Sequence, residues 1–151
     1  PAKVGLYDRA PVPAVPDRTE AIGAANQTPF DGLYWAEAPS VDNTFLVVAL
    51  TQAFFADTCA AELGAENCPN DYGTLDEPYV LWDAQVETLE VVTVVAESQQ
   101  NYAITAEELF SLASGNAPSA EAPEGYQYIE FPFLRTIRDG TIVEAHQIWV
   151  P

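Results

Sequence analysis

Asp139-Gly140 is the strongest hairpin turn signal on this chain. A two-residue loop of this type takes positive φ at both positions and joins two antiparallel strands in one register. Counting outward sets Arg138 opposite Thr141, Ile137 opposite Ile142, Arg135 opposite Glu144 and Phe133 opposite His146. The two strands are expected over residues 128–137 and 142–150. Side chains repeat every second residue, so Arg135, Glu144 and His146 are expected on one face among Ile and Phe neighbours. Pro132 has no N–H to give a ladder, which marks an edge or a bulge there.

The rest of the chain is punctuated less sharply. Residues 45–55 are almost wholly apolar. Val47 and Val48 favour a strand, while Ala49, Leu50, Ala53 and Phe54 also fit a helical face; strand is the preferred reading. Asp57 is placed to cap a short helix that Gly64 would stop. Residues 67–78, with Pro, Gly, Asn and acidic side chains, read as a loop. The Val- and Thr-rich residues 86–97 read as one long strand covered on both faces. Thr105 and Glu108 have the spacing of a capping box, and Gly115 ends the helix they begin. Upstream, Pro11, Pro13 and Pro16 alternate with apolar residues, which prevents a helix and favours extended chain. The aromatics after Asp31-Gly32 suggest that this region packs on the rest. The expected organisation is a proline-rich irregular lead-in, residues 1–44, followed by a single α+β domain over 45–151. That domain is expected to be a mainly antiparallel curved sheet with a few short helices and a C-terminal β-hairpin.

Charge limits the partners. The chain carries 23 acidic and 5 basic residues, a formal charge of −18, and Lys3 is its only lysine. Such a surface repels a phosphate backbone, so nucleic acid is excluded as a partner. No apolar run approaches the length of a membrane span. A lysine-poor acidic surface suits a salty medium, which points to a halophilic or marine source, or simply to an acidic exported protein. Cys59 and Cys68 flank a short loop. With one histidine in the chain a Cys/His metal site is disfavoured, leaving a local disulfide or two buried thiols; the disulfide implies an oxidising compartment. A start at Pro1 and the absence of Met fit a processed end, left either by signal-peptide cleavage or by simple removal of an initiator Met; the first agrees with the disulfide and gives the expected secreted or periplasmic location. Asn26-Gln27-Thr28 matches a glycosylation sequon, weakened by Pro29.

Three groupings carry possible chemistry. Arg135, Glu144 and His146 form the material of an acid–base site if they open into a pocket, and an ordinary cross-strand ion pair with a hydrogen-bonded histidine if they do not. Asp71, Asp76 and Glu77 are candidate calcium ligands, or a solvated acidic loop. Tyr34, Trp35, Tyr79, Trp82, Tyr126, Tyr128 and Trp149 can line a ligand surface or fill the core.

The stretch from Phe131 to Pro151 resembles the last hairpin of the NTF2-like superfamily, above all its SnoaL-like branch. There a strand rich in Phe and Arg runs into Asp-Gly-x-Ile-Val-Glu and ends on an aromatic strand. The resemblance implies a cone-shaped α+β fold with an apolar pocket, in isomerases, cyclases, dehydratases, hydrolases or non-catalytic binding domains. Glu144 and His146 are the residues that map onto its hairpin.

Three functional readings follow: an exported binding or structural domain without catalysis, a small-pocket SnoaL-like enzyme using His146 and Glu144, and an acidic accessory subunit. Their partners are a small apolar ligand or a basic protein. The charge itself yields a prediction. Self-repulsion is screened by salt, so the melting temperature is expected to rise as sodium chloride is added. A flat or falling curve would show that the charges do not oppose folding.

Overall fold

The structure, a computed structural model, describes residues 6–23, 28–75 and 77–150. Lys3, Asn26 and Asp76 lie outside them. In chain order the elements are β1 (Arg9–Ala10), β2 (Gly32–Ala36), β3 (Ser40–Asp42), β4 (Phe45–Thr51), β5 (Ala53–Phe55), α1 (Ala56–Leu63), β6 (Tyr72–Thr74), β7 (Val80–Gln85), β8 (Val91–Val95), β9 (Asn101–Ile104), α2 (Ala106–Ala113), β10 (Phe133–Arg138) and β11 (Thr141–Gln147). The main sheet runs β1-β9-β8-β11-β10-β2-β4-β3, with β7 also paired to β4. It is mixed, because β8 and β11 are parallel while the other described pairs are antiparallel. Two short helices and a sheet of this size make the chain α+β.

Alternation on each strand sorts the side chains. Leu46, Val48 and Leu50 of β4 are buried while their neighbours are half-buried. They join Tyr34, Val80, Val92, Val94, Phe133 and Ile142 in one core. Helix α2 covers that face through Ala106, Leu109 and Leu112. Its start follows the sequence closely: Thr105 Oγ1 accepts the Glu108 N–H at 3.1 Å, and Gly115 follows the helix at φ 93°. Glu108 does not complete a reciprocal box, because its carboxylate accepts the Tyr7 hydroxyl at 2.6 Å and the Ser119 N–H at 2.9 Å.

A smaller layer covers the other face. β5 and β6 pair separately, and Trp35 packs between Phe55 (5.6 Å between ring centroids) and Tyr72 (5.3 Å). Leu134 and Ala53 complete that cluster. Cys59, buried in α1, forms a disulfide with Cys68, so the local pairing read from the spacing is present. No helix among the described residues is long and apolar enough to cross a membrane.

Several expectations need correction. The region before residue 45 is not irregular throughout. β2 and β3 pair with β10 and β4, and Tyr34, Trp35 and Ala36 are core residues. Residues 45–55 are strand, interrupted at Gln52. Asp57 caps nothing: the N-cap is Phe55, without a side-chain bond, and Asp57 sits in the first turn of α1. The expected loop at 67–78 contains β6. Residues 86–97 are not one strand, because Gln85 O accepts the N–H groups of Thr88 and Leu89 and turns the chain between β7 and β8. That turn buries Leu89 and moves the chain from the β4 edge to a parallel place beside β11.

Gly73 shows how closely the second layer is drawn together. A Cβ there would lie 2.7 Å from Asn67 O, 2.8 Å from Leu63 Cδ1 and 3.1 Å from Cys59 Sγ. Gly73→Ala is therefore expected to lower the unfolding free energy by about 1–3 kcal/mol, the usual cost of an extra methyl in a packed site. Urea titration checks this, and an unchanged midpoint would contradict the packing.

Candidate functional site

The hairpin forms at Asp139-Gly140, and both residues take positive φ (54° and 76°). Arg138 faces Thr141 and Ile137 faces Ile142, as counting predicts. The ladder then slips by one residue. Thr136 faces Glu144, Arg135 faces Ala145, Leu134 faces His146 and Phe133 faces Gln147. Val143 is the extra residue of a β-bulge, and its carbonyl accepts the Glu90 N–H at 2.8 Å where β8 begins. The strands are also shorter than expected, covering 133–138 and 141–147.

One inserted residue exchanges faces, because side chains alternate along a strand. Arg135 lies with Phe133, Ile137 and Ala145 on the side of the main core, opposite Tyr34 of β2. Glu144 and His146 lie on the other side with Leu134. The expected Arg135–Glu144 pairing is thus replaced, and the trio of Arg135, Glu144 and His146 is divided between two faces.

His146 is engaged at both ring nitrogens. Nδ1 is 2.9 Å from Thr93 Oγ1 on β8, and Nε2 is 2.9 Å from Glu144 Oε1. A carboxylate only accepts, so the neutral ring donates from Nε2 and accepts the Thr93 hydroxyl proton at Nδ1. Thr93 joins this chain through the parallel register Thr93↔His146. Local sequence gives no sign of a parallel neighbour, so Thr93 escaped the sequence reading.

Arg135 is the anomaly on the inner face. Its side chain is 0% exposed, and none of its three guanidinium nitrogens has a hydrogen-bond partner. Its close contact is the Phe133 ring, 4.6 Å from the guanidinium carbon to the centroid. Burial pushes its pKa down to about 10, and nearby Tyr128 opposes that shift. Gln147 is buried on the same face. It donates to Ile129 O (2.6 Å) and accepts from Val95 N–H (2.9 Å), tying the 129–131 segment across the sheet.

Beside this segment is a cleft of about 630 Å³, within the range of small-molecule sites. Ala96–Ser98, Gln100 and Tyr102 form one wall and Pro123–Glu130 the other. Tyr126 packs edge-on against Tyr7 (5.4 Å) and Tyr102 (6.4 Å). The hydroxyls of Tyr126 and Tyr128 are buried without partners. Glu97, Glu124 and Glu130 also line the cleft.

The other candidate residues scatter. Of the aromatic set, Tyr34 is in the main core and Trp35 in the second layer, while Tyr79 is half-exposed. Trp82 donates to Gly140 O (2.8 Å) and Trp149 packs on Phe131 (6.4 Å). Only Tyr126 and Tyr128 share a cleft wall. Among the described residues no group of three or more His, Cys, Asp or Glu is placed to hold a metal ion. Of the calcium candidates, Asp71 and Glu77 are described and Asp76 is not. Comparison with known proteins finds no matching family model, no matching curated protein and no matching solved structure.

Burial gives the molecule a pH signature. Tyr7, Tyr34, Tyr72, Tyr126 and Tyr128 all have phenol pKa values raised chiefly by burial, Tyr128 to about 12. The unfolded chain releases these protons near pH ~10, so their stabilising contribution is complete below that pH and is lost as pH rises through the folded values. Arg135 acts in the opposite sense above about 10, as one group against five. Stability measured in urea is expected to fall between about pH 9.5 and about pH 11.5. A constant stability across that window would contradict the burial of these phenols.

Proposed function

We propose that the chain is a non-catalytic binding domain that works outside the reducing cytosol and takes a small ligand in the cleft walled by Tyr126 and Tyr128. The observation that carries this reading is a cleft walled in part by two tyrosines, Tyr126 and Tyr128, whose hydroxyls are buried and without a partner. A buried polar group left unpaired is costly, and a ligand that bonds to it recovers that cost. The remaining acid–base groups point away from catalysis. Glu144 and His146 spend their hydrogen bonds on each other and on Thr93, and neither lines this cleft. The Cys59–Cys68 disulfide supports an exported location, where such bonds persist.

A second reading rests on that same chain of groups. Glu144, His146 and Thr93 form a carboxylate–imidazole–hydroxyl series, the order of groups that activates a hydroxyl nucleophile. Helix α2 touches both β3 and β8, which supports a curved sheet of the kind the SnoaL-like resemblance implies. Against this reading, Thr93 is only 6% exposed, which leaves little room for a substrate to reach its hydroxyl.

Ligand-observed magnetic resonance on a mixed set of small aromatic and aliphatic compounds separates the two. Compounds that bind are expected to bind about three- to tenfold more weakly when Tyr126→Phe and Tyr128→Phe remove the hydroxyls, the usual effect of losing one hydrogen bond. His146→Ala is expected to leave binding unchanged. Binding that survives both tyrosine changes but is lost with His146→Ala would overturn the proposal and favour the second reading.

A further inference from the structure

Arg135 stands out from every other charged side chain in the described structure. It is one of the chain's 5 basic residues and is fully buried, with all its nitrogens unpaired. Taking a guanidinium out of water carries a large penalty, normally offset by a carboxylate and further hydrogen bonds. Here the Phe133 face offsets part of it. That contact occupies one face of the guanidinium and leaves the N–H groups at its edge to be satisfied. Tyr128 packs on the same core as Phe133, and the segment that follows it is held to that inner face by the Gln147 bonds to Ile129 O and Phe131 O; Tyr128 and Arg135 also bias each other's ionisation. Tyr128 also lines the cleft, and its hydroxyl, like that of Tyr126, is unpaired.

Arg135 does not itself line the cleft; we propose that it is an anion-binding group reached from the cleft past Tyr128, and that the ligand is a carboxylate carried on an apolar body. This rests on the cleft being a binding site. The guanidinium offers two parallel N–H donors, the geometry that suits a carboxylate, and the tyrosine hydroxyls can add donors to the same oxygens. The charge pattern selects a monoanion. One buried cation neutralises one negative charge, whereas a dianion such as phosphate would keep a second charge near Glu97, Glu124 and Glu130. Ile129 and the tyrosine rings supply apolar contact for the rest of the molecule. Entry needs the Tyr128 side chain to turn aside. The Tyr128 hydroxyl has no partner, so turning the side chain breaks no hydrogen bond. The backbone just beyond it stays held through the Gln147 bonds to Ile129 and Phe131.

The experiment compares acids with their neutral amides. Thermal shift and calorimetry are run at fixed ionic strength with benzoate against benzamide and hexanoate against hexanamide. At least one acid is expected to bind the wild type tenfold or more tightly than its amide and to raise the melting temperature. Arg135→Met is expected to melt at or above the wild-type temperature without ligand, because it removes an unpaired buried charge, and to lose the preference for the acid. Should that variant fail to fold, Arg135→Lys keeps the charge without the fork and is expected to weaken acid binding at least tenfold. Amides that bind as well as their acids, with the binding still sensitive to Tyr128→Phe, would overturn the anion site and leave the cleft. Acid binding unchanged by Arg135→Met would also overturn it. Failure of every probe to bind would remove both the anion site and the cleft reading.

Discussion

The β10–β11 ladder holds the centre of the sheet, and the bulge at Val143 decides what the molecule has on each side of it. β11 is bonded to β10 on one edge and to β8 on the other, so it must satisfy an antiparallel and a parallel neighbour together. The bulge reconciles the two. Its carbonyl receives the Glu90 N–H and admits β8, and the slip sends Ala145 and Gln147 inward. The same slip turns Glu144 and His146 outward to meet Thr93. Without it, Arg135 would face Glu144 as an ion pair. With it, the guanidinium is alone in the core and the carboxylate belongs to a histidine on the opposite face.

The second layer has a different origin. Trp35, Phe55 and Tyr72 exclude water from the outer face of β2 and β10, and the disulfide holds α1 to the chain that leads into β6. Closing a loop this short stabilises by roughly 2–3 kcal/mol in the chain-entropy account. Arg18 adds a surface tie, lying over the Phe54 ring at 5.4 Å and pairing with Glu62 at 3.1 Å. Exposed pairs of this kind contribute little, so the layer depends on its aromatic cluster and its disulfide.

Features written in local chemistry were legible in the sequence. The Asp139-Gly140 turn, the Thr105 cap with its Gly115 stop, and the Cys59–Cys68 pairing each depend on residues close together in the chain. Features that depend on distant pairing were not. The bulge leaves one faint trace, the adjacent apolar residues Ile142 and Val143 before the polar alternation resumes, and Pro132 drew attention to the wrong strand. The turn at Gln85 is invisible in a Val/Thr-rich run, since a strand and a turn between two strands share that composition. β2 and β3 sat within a region judged by its prolines, although Leu33, Tyr34 and Trp35 already pointed to packing. For the candidate site, residue identity was legible and grouping was not. Arg135 was singled out for a partner it does not have, and Tyr126 and Tyr128 were part of a set that the fold disperses.

Everything proposed for Arg135 and everything denied to His146 as its neighbour follows from the register across β10 and β11. Cross-strand backbone nuclear Overhauser contacts on the isotope-labelled protein measure that register directly. The account predicts contacts joining Arg135 to Ala145 and Thr136 to Glu144, with Val143 lacking a β10 partner and meeting Glu90 instead. Contacts joining Thr136 to Val143 and Arg135 to Glu144 in an unbroken ladder would contradict it.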